Sequence, residues 1–283
     1  MPPRGGMAAL DPRGVKSAIM LPTPTTGQPE EDVTLTDQQL DRYARHIVLK
    51  EIGGEGQKRL LAAHVAVIGA GGIGSPALLY LAAAGVGRLT IIDDDQVSLA
   101  NLQRQVLFTG DDVGASKGER AASRLRAMNA DVDVVVRQVR IDGANVVELL
   151  AGADLVLDGS DNFATRLAVS DHCTRAHVPL VSAAIGQFQA QIGTFRGWEA
   201  DRPCYRCFVG DAFDAEDCDT CSDLGVLGAM AGLAGSWAAM EAIRALTGFG
   251  GDQAGRLHLF DGLAPAMRTL RIAKDPGCRG CGG

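Results

Sequence analysis

The sequence predicts an α/β fold with a mostly parallel sheet and antiparallel strands at its C-terminal end. Between residues 65 and 182, apolar runs of strand length alternate with longer helical patterns. This alternation is typical of βαβ units around a sheet that is buried on both faces. After residue 187 polar and apolar residues alternate one by one, as in antiparallel strands. Hydrophobic residues make up 46% of the 283, enough for a substantial core.

The predicted elements follow one another along the chain. A cap-like start at Thr36 leads into an amphipathic helix through Leu49, and a glycine-rich loop at 53–56 ends it. Strands are predicted at 65–68, 89–92, 132–139, 154–157, 180–182, 189–195, 257–260 and 267–272. Helices are predicted at 76–84, 117–128, 164–175 and 228–246. No internal repeat is present, so the last hundred residues are expected to complete the same sheet.

The N-terminal segment differs in composition from the rest. Residues 1–33 are rich in proline, glycine and threonine and have no helical or strand period. Such a segment cannot bury enough apolar surface to stay ordered. We therefore predict a disordered N-terminal tail at 1–33 and one folded domain at 34–283.

Charge and hydropathy exclude several classes of partner. The 27 Lys and Arg residues against 34 Asp and Glu give a net charge of −7, which repels a nucleic-acid backbone. The apolar stretch at 77–86 is well short of the roughly 20 residues that span a bilayer. The N-terminal apolar run at 18–21 is shorter than the roughly 7–15 apolar residues of a secretion signal. We expect a cytoplasmic protein with no nucleic-acid or membrane partner.

A glycine-rich motif joins the first predicted strand to the helix after it. Gly69, Gly71, Gly72 and Gly74 allow a phosphate to approach the backbone closely, and the helix dipole favours an anion there. Asp93, at the end of the second strand, has the spacing of an acid that binds ribose hydroxyls. The motif predicts a Rossmann-like nucleotide-binding sheet, with NAD, FAD and ATP left open. A tight turn without a ligand is the alternative.

Further polar residues favour ATP. Asn101, Gln103 and Arg104 follow the second strand, Lys117 begins the next helix, and Asp161-Asn162 follow the fourth strand. Triphosphate chemistry needs cations to spread charge and a carboxylate for Mg²⁺, whereas a dehydrogenase needs neither. The alternative roles are a surface lysine at position 117 and a helix cap at Asp161.

These motifs, together with Arg42-Tyr43-x-Arg45 near the start of the domain, resemble the ThiF/MoeB/HesA adenylyltransferases, relatives of the ubiquitin-activating enzymes. The resemblance extends from about Leu35 to Cys281. It implies ATP-dependent adenylation of the C-terminal Gly-Gly carboxylate of a small ubiquitin-like sulfur-carrier protein, with release of pyrophosphate. The implied carrier is the small subunit of molybdopterin synthase, which would place the chain in molybdenum cofactor biosynthesis.

The resemblance also implies roles for single residues. Asp93 would hold the ribose hydroxyls, Arg104 and Lys117 would contact the triphosphate, and Asp161 would hold Mg²⁺. Arg45 would reach into the site of the partner subunit of a homodimer, unless it is only a surface cation. Ala100 stands where the family commonly has serine, so a hydrogen bond from that hydroxyl is missing. The implied ATP-binding residues are Gly69, Gly71, Gly72, Gly74, Asp93, Asn101, Gln103, Arg104, Lys117, Asp161 and Asn162.

Six of the seven cysteines form three C-x-x-C pairs, Cys204/Cys207, Cys218/Cys221 and Cys278/Cys281. Two such pairs can bind Zn²⁺ tetrahedrally. Proximity in the sequence would combine the first pair with the second. The resemblance instead implies a structural zinc site formed by Cys204, Cys207, Cys278 and Cys281, and we adopt this pairing. The remaining cysteine, Cys173, lies in a helix and is expected to be a small core residue.

The second cysteine pair is then left for another role. Cys221 matches a cysteine that family members carry in a mobile crossover loop, here at about 209–224, where it can form a thioester or a persulfide with the carrier. The acidic residues around Cys221 would raise the pKa of its thiol, which argues against a nucleophile. A redox pair of Cys218 and Cys221 is another interpretation.

Three alternatives to this function stay open. The carrier could be that of thiazole synthesis in the thiamine pathway, because the motifs do not distinguish the two carriers. From other classes, the glycine motif alone would allow an NAD-linked oxidoreductase, and the fold alone would allow a non-catalytic module that binds the carrier. The sequence has no rhodanese domain after Cys281, so we expect a separate sulfur donor, a cysteine desulfurase or a rhodanese.

Overall fold

A computed structural model describes residues 34–210 and 225–282 of the chain. The predicted tail at 1–33, most of the predicted crossover loop, both cysteines of the Cys218/Cys221 pair, and Gly283 lie outside the described residues. The strands are β1 His64–Ile68, β2 Arg88–Ile92, β3 Asp133–Arg137, β4 Leu155–Asp158, β5 Leu180–Ile185, β6 Gln189–Phe195, β7 Arg256–Asp261 and β8 Ala266–Arg271. The helices are α1 Asp37–Ile47, α2 Gly53–Ala62, α3 Gly74–Ala83, α4 Lys117–Met128, α5 Val146–Leu149, α6 Phe163–Ala176, α7 Tyr205–Val209 and α8 Gly228–Thr247.

The strands form one sheet in the order β3-β2-β1-β4-β5-β6-β7-β8. The first five in this order are parallel to one another, and β6, β7 and β8 are each antiparallel to the strand before them. The predicted α/β class, mostly parallel with antiparallel C-terminal strands, is confirmed. The carboxyl ends of β1, β2 and β4 therefore meet at one edge of the sheet, beside the change of direction at β1, where ligands bind in open α/β sheets.

Each face of the sheet is covered by a hydrophobic core. Val65 and Val67 of β1 point to one face and pack with apolar residues of α3, α4 and α8. Ala66 and Ile68 point to the opposite face and pack with α5, α6 and α7. Successive strand residues point to opposite faces, so a strand that is buried on both must be continuously apolar. None of the helices in the two described ranges is long and apolar enough to cross a membrane.

Two parts of the sequence prediction are corrected by the structure. The glycine-rich segment at 53–56 is not a loop but the first turn of α2. Gly53 has φ of +62°, which suits the sharp entry into this helix, and a Cβ on Gly56 would lie 2.9 Å from the Ile52 side chain. The short helices α5 and α7 were not predicted, because four or five residues are too few to show a helical period.

Helices α3 and α8 are in close contact at a glycine. A Cβ added to Gly235 of α8 would lie 2.2 Å from the carbonyl oxygen of Ile73 and 2.4 Å from the ring of Pro76. Ile73 belongs to the turn between β1 and α3. The glycine therefore lets α8 rest directly on the backbone that leads out of the central strand.

We expect Gly235→Ala to lower the free energy of unfolding by about 1–3 kcal/mol, because the methyl group must push α8 away from α3. The matched control is Gly232→Ala in the same helix, where an added Cβ meets nothing within 4 Å. This control should stabilise the protein by about 0.5–1 kcal/mol through helix propensity. Urea denaturation measures the free energy of unfolding of both variants. Equal changes in the two would contradict the expected clash between the added methyl group and α3.

Candidate active site

The glycine turn, residues 69–74, lies at the carboxyl end of β1. Gly69 has φ of +84°, and a Cβ on Gly74 would lie 1.8 Å from the carbonyl oxygen of Gly69. Neither position accepts a side chain without rearrangement. Within the described residues, the amides of Gly71, Gly72 and Ile73 donate no hydrogen bond, and α3 has no side-chain cap. These amides are available to an anion at the positive end of the helix dipole.

Asp93 connects the glycine turn to the end of β2. One of its carboxylate oxygens accepts a hydrogen bond from the Ala70 amide at 2.7 Å, and the other accepts one from the Asp95 amide at 2.9 Å. Burial raises the pKa of Asp93, while these two amides and the charge of Lys117 act in the opposite direction. Each oxygen keeps a lone pair with which it can accept a hydroxyl hydrogen.

Lys117 is buried at the start of α4. Its ammonium group lies 2.7 Å from Asp95, and only 4% of its side chain is exposed against 67% for Asp95. The alternative role as a surface lysine is therefore wrong. A cation at a helix N-terminus opposes the helix dipole, so its position needs a compensating anion. Asp95 provides that charge here.

Asn101 and Arg104 form a second polar group at this edge. The Arg104 guanidinium donates to the Asn101 side-chain oxygen at 2.9 Å and to the carbonyl oxygen of Ala100 at 3.4 Å. A Cβ built on Gly72 would lie 3.4 Å from Cγ of Arg104, so the aliphatic part of this arginine covers the glycine turn. The carbonyl oxygen and side chain of Gln103 lie against Gly228, at the start of α8.

The loop at 159–162, after β4, lies beside the glycine turn. A Cβ on Gly69 would lie 3.5 Å from the carbonyl oxygen of Gly159. Asp161 is exposed in this loop, and the side chain of Asn162 accepts the Thr165 amide at 2.9 Å. The alternative that Asp161 caps the helix is therefore wrong, because Asn162 is the N-cap of α6. The carboxylate of Asp161 makes no hydrogen bond in the described part of the chain.

The structure adds Gln105 to the neighbourhood of the glycine turn. Gln105 is 3% exposed, and its side-chain nitrogen lies 3.6 Å from where a Cβ of Gly71 would be. Its side-chain oxygen has no hydrogen-bond partner within the described residues. The sequence motif contains Gln105, but only burial distinguishes it from the neighbouring polar residues. Arg45, by contrast, is exposed in the last turn of α1 and contacts none of the residues above within the described part.

The four predicted zinc ligands form a cysteine cluster: Cys204, Cys207, Cys278 and Cys281. Their sulfurs all lie within 4.8 Å of one another, with separations of 3.9 Å for Cys204–Cys207, 3.5 Å for Cys204–Cys278 and 3.4 Å for Cys207–Cys281. Zn–S bonds of about 2.3 Å in a tetrahedron place the sulfurs about 3.8 Å apart, so the cluster has the dimensions of a zinc site. Burial raises the pKa of the Cys204 thiol, and a bound cation would reverse this effect.

Hydrogen bonds surround the cysteine cluster. The Asp275 amide donates to the sulfur of Cys207 at 3.4 Å, and the Lys274 ammonium donates to two carbonyl oxygens of the 197–199 turn. A Cβ on Gly197 would lie 2.5 Å from Cβ of Cys204, so this turn packs closely on the cluster. The seventh cysteine, Cys173, is 2% exposed in the core, as predicted, and burial raises the pKa of its thiol.

A groove of about 350 Å³ crosses β5, β6, β7 and β8 on the face of the sheet opposite α8. Ala184 and Gly186, two of its lining residues, follow Ser182, which pairs with Asp158 directly before the 159–162 loop. Gln191, Leu259 and Arg268 line the rest. Arg268 is exposed and has no ion-pair partner within the described ranges. We call this feature the sheet groove.

Fold and site together define a nucleotide-binding α/β protein. The chain belongs to the ThiF family, whose model matches residues 43–280. It is 44% identical over 250 residues to the SAMP-activating enzyme E1 of Haloferax volcanii, covering 88% of this chain and 92% of that protein. It is 42% identical over 250 residues to the sulfur carrier protein adenylyltransferase of Thermus thermophilus, covering 87% and 92%. The sulfur carrier protein ThiS adenylyltransferase of Escherichia coli is 40% identical over 250 residues, covering 88% and 98%.

Solved structures with the same fold include E. coli MccB. The crystal structure of that protein matches with a TM-score of 0.75 at 24% identity, covering 86% of this chain and 72% of the MccB chain. At this level of identity the match describes the fold alone.

The buried ion pair gives a stability prediction. Asp95→Asn removes the carboxylate that pairs directly with the buried Lys117 and leaves Asp93 as the negative charge that acts on it. We expect a loss of about 1–2 kcal/mol in the free energy of unfolding, less than for a fully buried pair because Asp95 is largely exposed. Lys117→Met removes the buried charge and fills similar space, so its stability should stay within about 1 kcal/mol of the unaltered chain. Urea denaturation compares the two. A larger loss for Lys117→Met would contradict this account of the pair.

Proposed function

We propose that the chain catalyses ATP-dependent adenylation of the C-terminal Gly-Gly carboxylate of a small ubiquitin-like sulfur carrier. The observation that carries the proposal is the convergence of free amides at the glycine turn with Asp93, Arg104 and Lys117 at one sheet edge. Membership of the ThiF family and the names of the relatives, which include adenylyltransferases for sulfur carriers, support it. These relatives give no support to an NAD-linked oxidoreductase or to a non-catalytic module.

Each polar group has a place in this reaction. The amides of residues 71–73 bind phosphate oxygens, and Asp93 accepts hydrogen bonds from the ribose hydroxyls. Arg104, oriented by Asn101, and Lys117 neutralise the charge of the triphosphate. Asp161 is an exposed carboxylate in the loop beside the glycine turn and could hold Mg²⁺, an ion bound in such sites through one or two carboxylates and phosphate oxygens. Mg²⁺ bound there would supply positive charge to the phosphates.

The chemical step needs positioning and charge more than it needs acid or base catalysis. A carboxylate oxygen of the carrier attacks the α-phosphorus, the bond from that phosphorus to the bridging oxygen breaks, and pyrophosphate leaves with the electron pair. Negative charge accumulates on phosphate oxygens, and the two fixed cations stabilise it. The ionised carboxylate is already a nucleophile, so no base is required.

The sheet groove is proposed to hold the C-terminal tail of the carrier. Ala184 lines the groove two residues after Ser182, and Ser182 pairs with Asp158, the residue directly before the 159–162 loop. Ala184 and Gly186 are small, and an added Cβ on Gly186 would meet nothing within 4 Å, so this part of the groove has room for the two terminal glycines of the carrier. Phe188 and Leu263, exposed at 38% and 73%, lie in the turns next to the groove and offer apolar surface to the body of the carrier.

We further propose a homodimer in which Arg45 completes the site of the partner subunit. Support comes from the surface next to it: Val48 is 73% exposed and Leu49 is 47% exposed directly after α1. Two apolar side chains beside an arginine that has no role within the described part of its own chain suit an interface.

Competition between candidate carriers would identify the one that this chain adenylates. The small subunit of molybdopterin synthase is the carrier we predict, and the thiazole carrier is the alternative. The relatives include proteins named for ThiS and for SAMP, and the Mycobacterium tuberculosis protein named probable adenylyltransferase/sulfurtransferase MoeZ. Sulfur is proposed to come from a separate donor, a desulfurase or rhodanese, and a covalent role for Cys221 stays a prediction.

ATP–pyrophosphate exchange tests the proposed reaction. With Mg²⁺ and a carrier ending in Gly-Gly, exchange should occur, and it should vanish with a carrier that lacks the last glycine. Asp161→Asn and Arg104→Gln should each lower the exchange rate by about 100-fold or more, because each removes charge that the transition state needs. The carrier with the higher kcat/KM identifies the pathway.

Matched controls are available in the surface ion pair of Arg88 and Asp133, whose side chains are each 55% exposed at the starts of β2 and β3. Arg88→Gln and Asp133→Asn repeat the same chemical changes at the opposite edge of the sheet. Their exchange rates should stay within about twofold of the unaltered chain. Exchange that persists in Asp161→Asn or Arg104→Gln would overturn the assigned roles.

We also propose that the cysteine cluster holds a structural Zn²⁺. Cys278→Ser should reduce the zinc content measured by mass spectrometry and lower the melting temperature, because metal affinity of such sites contributes directly to folding. Cys173→Ser is the control: it places a hydroxyl in the core at a cost of about 1–3 kcal/mol but should keep the zinc. Equal zinc content in the two variants would contradict the proposed ligands.

A further inference from the structure

The parallel strands β4 and β5 separate at their carboxyl ends, and this gap lies between the 159–162 loop and the sheet groove. Pairing of β4 with β5 ends at Asp158 opposite Ser182. Beyond this point β4 continues into the 159–162 loop, whereas β5 continues towards the groove through Ala183 and Ala184. In a parallel sheet the carbonyl groups past the last pair lose their partners and need other donors. The width of this gap sets the distance between the loop that carries Asp161 and the wall of the groove.

One buried arginine bridges the gap. Arg166 of α6 is 6% exposed, and the same guanidinium nitrogen donates to the carbonyl oxygens of Ser160, in the loop, and Ala183, on β5, the latter at 2.8 Å. A second nitrogen donates to the Ser182 hydroxyl at 3.1 Å. The guanidinium therefore replaces the hydrogen bonds that the strands no longer make. The planar group has several donors in fixed directions, which a lysine cannot reproduce.

Arg166 is in turn supported from the side of the cysteine cluster. Its charge acts on the hydroxyl of Tyr205, which follows Cys204 in α7 and is 3% exposed, and opposes the rise that burial causes in the pKa of that hydroxyl. The backbone amide of Tyr205 donates to the Ser170 hydroxyl at 3.2 Å. Asp171 binds Arg206 through two hydrogen bonds, of 2.7 and 2.8 Å. Hydrogen bonds thus join helix α7, which carries Cys207, to α6, the helix that begins directly after the 159–162 loop.

Hydrogen bonds and a buried carboxylate, that of Asp158, accompany the buried guanidinium of Arg166. A buried guanidinium is costly unless it is hydrogen-bonded and near an anion. Asp158 is fully buried at the end of β4, and its charge and that of Arg166 both act on Tyr205. One oxygen of Asp158 accepts the Ser160 amide at 2.9 Å. Arg166 and Asp158 therefore hold the Ser160 backbone from its carbonyl and its amide.

We propose that Arg166 is a positioning residue for the adenylation step, and that Tyr205 acts through it. Arg166 fixes the distance between the loop that holds the nucleotide and the groove through which the carboxylate arrives, so that the attacking oxygen faces the α-phosphorus. It touches neither reactant. This inference rests on the proposed function, because it assigns the loop to ATP and the groove to the carrier tail.

The experiment uses the full-length chain with Arg166→Lys, Tyr205→Phe, and the two combined. In ATP–pyrophosphate exchange, Arg166→Lys should lower kcat by about 20-fold or more, since a misplacement of about 1 Å can cost 100-fold, while KM for ATP and KM for the carrier each stay within about threefold. Tyr205→Phe should lower kcat by about 3–10-fold. The double variant should be no slower than Arg166→Lys alone, because both changes act on the same contact.

Arg126→Lys is the matched control. Arg126 also donates to a strand carbonyl, that of Val134, but in the last turn of α4, away from the site. Its kcat should not change. Equal losses in Arg126→Lys and Arg166→Lys, an unchanged kcat in Arg166→Lys, or multiplied losses in the double variant would each overturn the proposal.

Amide hydrogen exchange separates this proposal from the proposed function. In Arg166→Lys and Tyr205→Phe, the amides of residues 160–162 should exchange about tenfold faster than in the unaltered chain, with no change in Arg126→Lys. If the unaltered chain shows no adenylation, the proposed function fails. The hydrogen-exchange rates of the amides at 160–162 would still test whether Arg166 links the 159–162 loop to β5. Unchanged hydrogen exchange of the amides at 160–162 in these variants would overturn the positioning role of Arg166, whatever their adenylation activity.

Discussion

The rest of the site depends on direct backbone packing at the glycine turn. Gly74 lies so close to the carbonyl of Gly69 that no side chain fits, and Gly235 brings α8 onto the carbonyl of Ile73 in the same turn. The 159–162 loop approaches from the other side, with Gly159 next to Gly69. Side chains at these contacts would separate three elements and, with them, the groups that we propose bind a nucleotide. The close contacts at these glycines therefore determine how near the glycine turn, α8 and the 159–162 loop lie to one another.

Charged groups in this protein are buried in two different ways. Lys117 pairs with Asp95, which is largely exposed, so in the proposed reaction its ammonium could pass to a phosphate while water solvates the carboxylate that it leaves. Arg166 is 6% exposed, and carbonyl and hydroxyl oxygens occupy its donors. The first arrangement suits a group that must exchange partners, and the second suits one that must not move. The single ammonium group of Lys117 can change partners, whereas the planar guanidinium of Arg166 holds several acceptors in fixed directions.

The sequence predicted the sheet and much of the site because the signals were local. The glycine pattern, Asp93 after β2, and the C-x-x-C pairs are recognised from short spacings. The structure brings Asp93 to the glycine turn and brings together two of the three cysteine pairs. The glycines at 53–56 misled the prediction, because their packing against Ile52 and Thr247 is a tertiary contact. Arg166 was missed for the same reason: in the sequence it is an ordinary helix arginine, and only the end of β4–β5 pairing gives it a role.

The far side of the sheet has a consequence for how the chain behaves in solution. In the described part of the chain β8 is the last strand, and all but its first residue are exposed. An unpaired strand edge can add strands from other molecules and so begin aggregation. Arg268 and Arg271 place positive charge along this edge, which makes the approach of a second identical edge unfavourable. An oppositely charged or neutral extended segment meets no such repulsion, so the edge discourages self-association while it stays open to a different polypeptide.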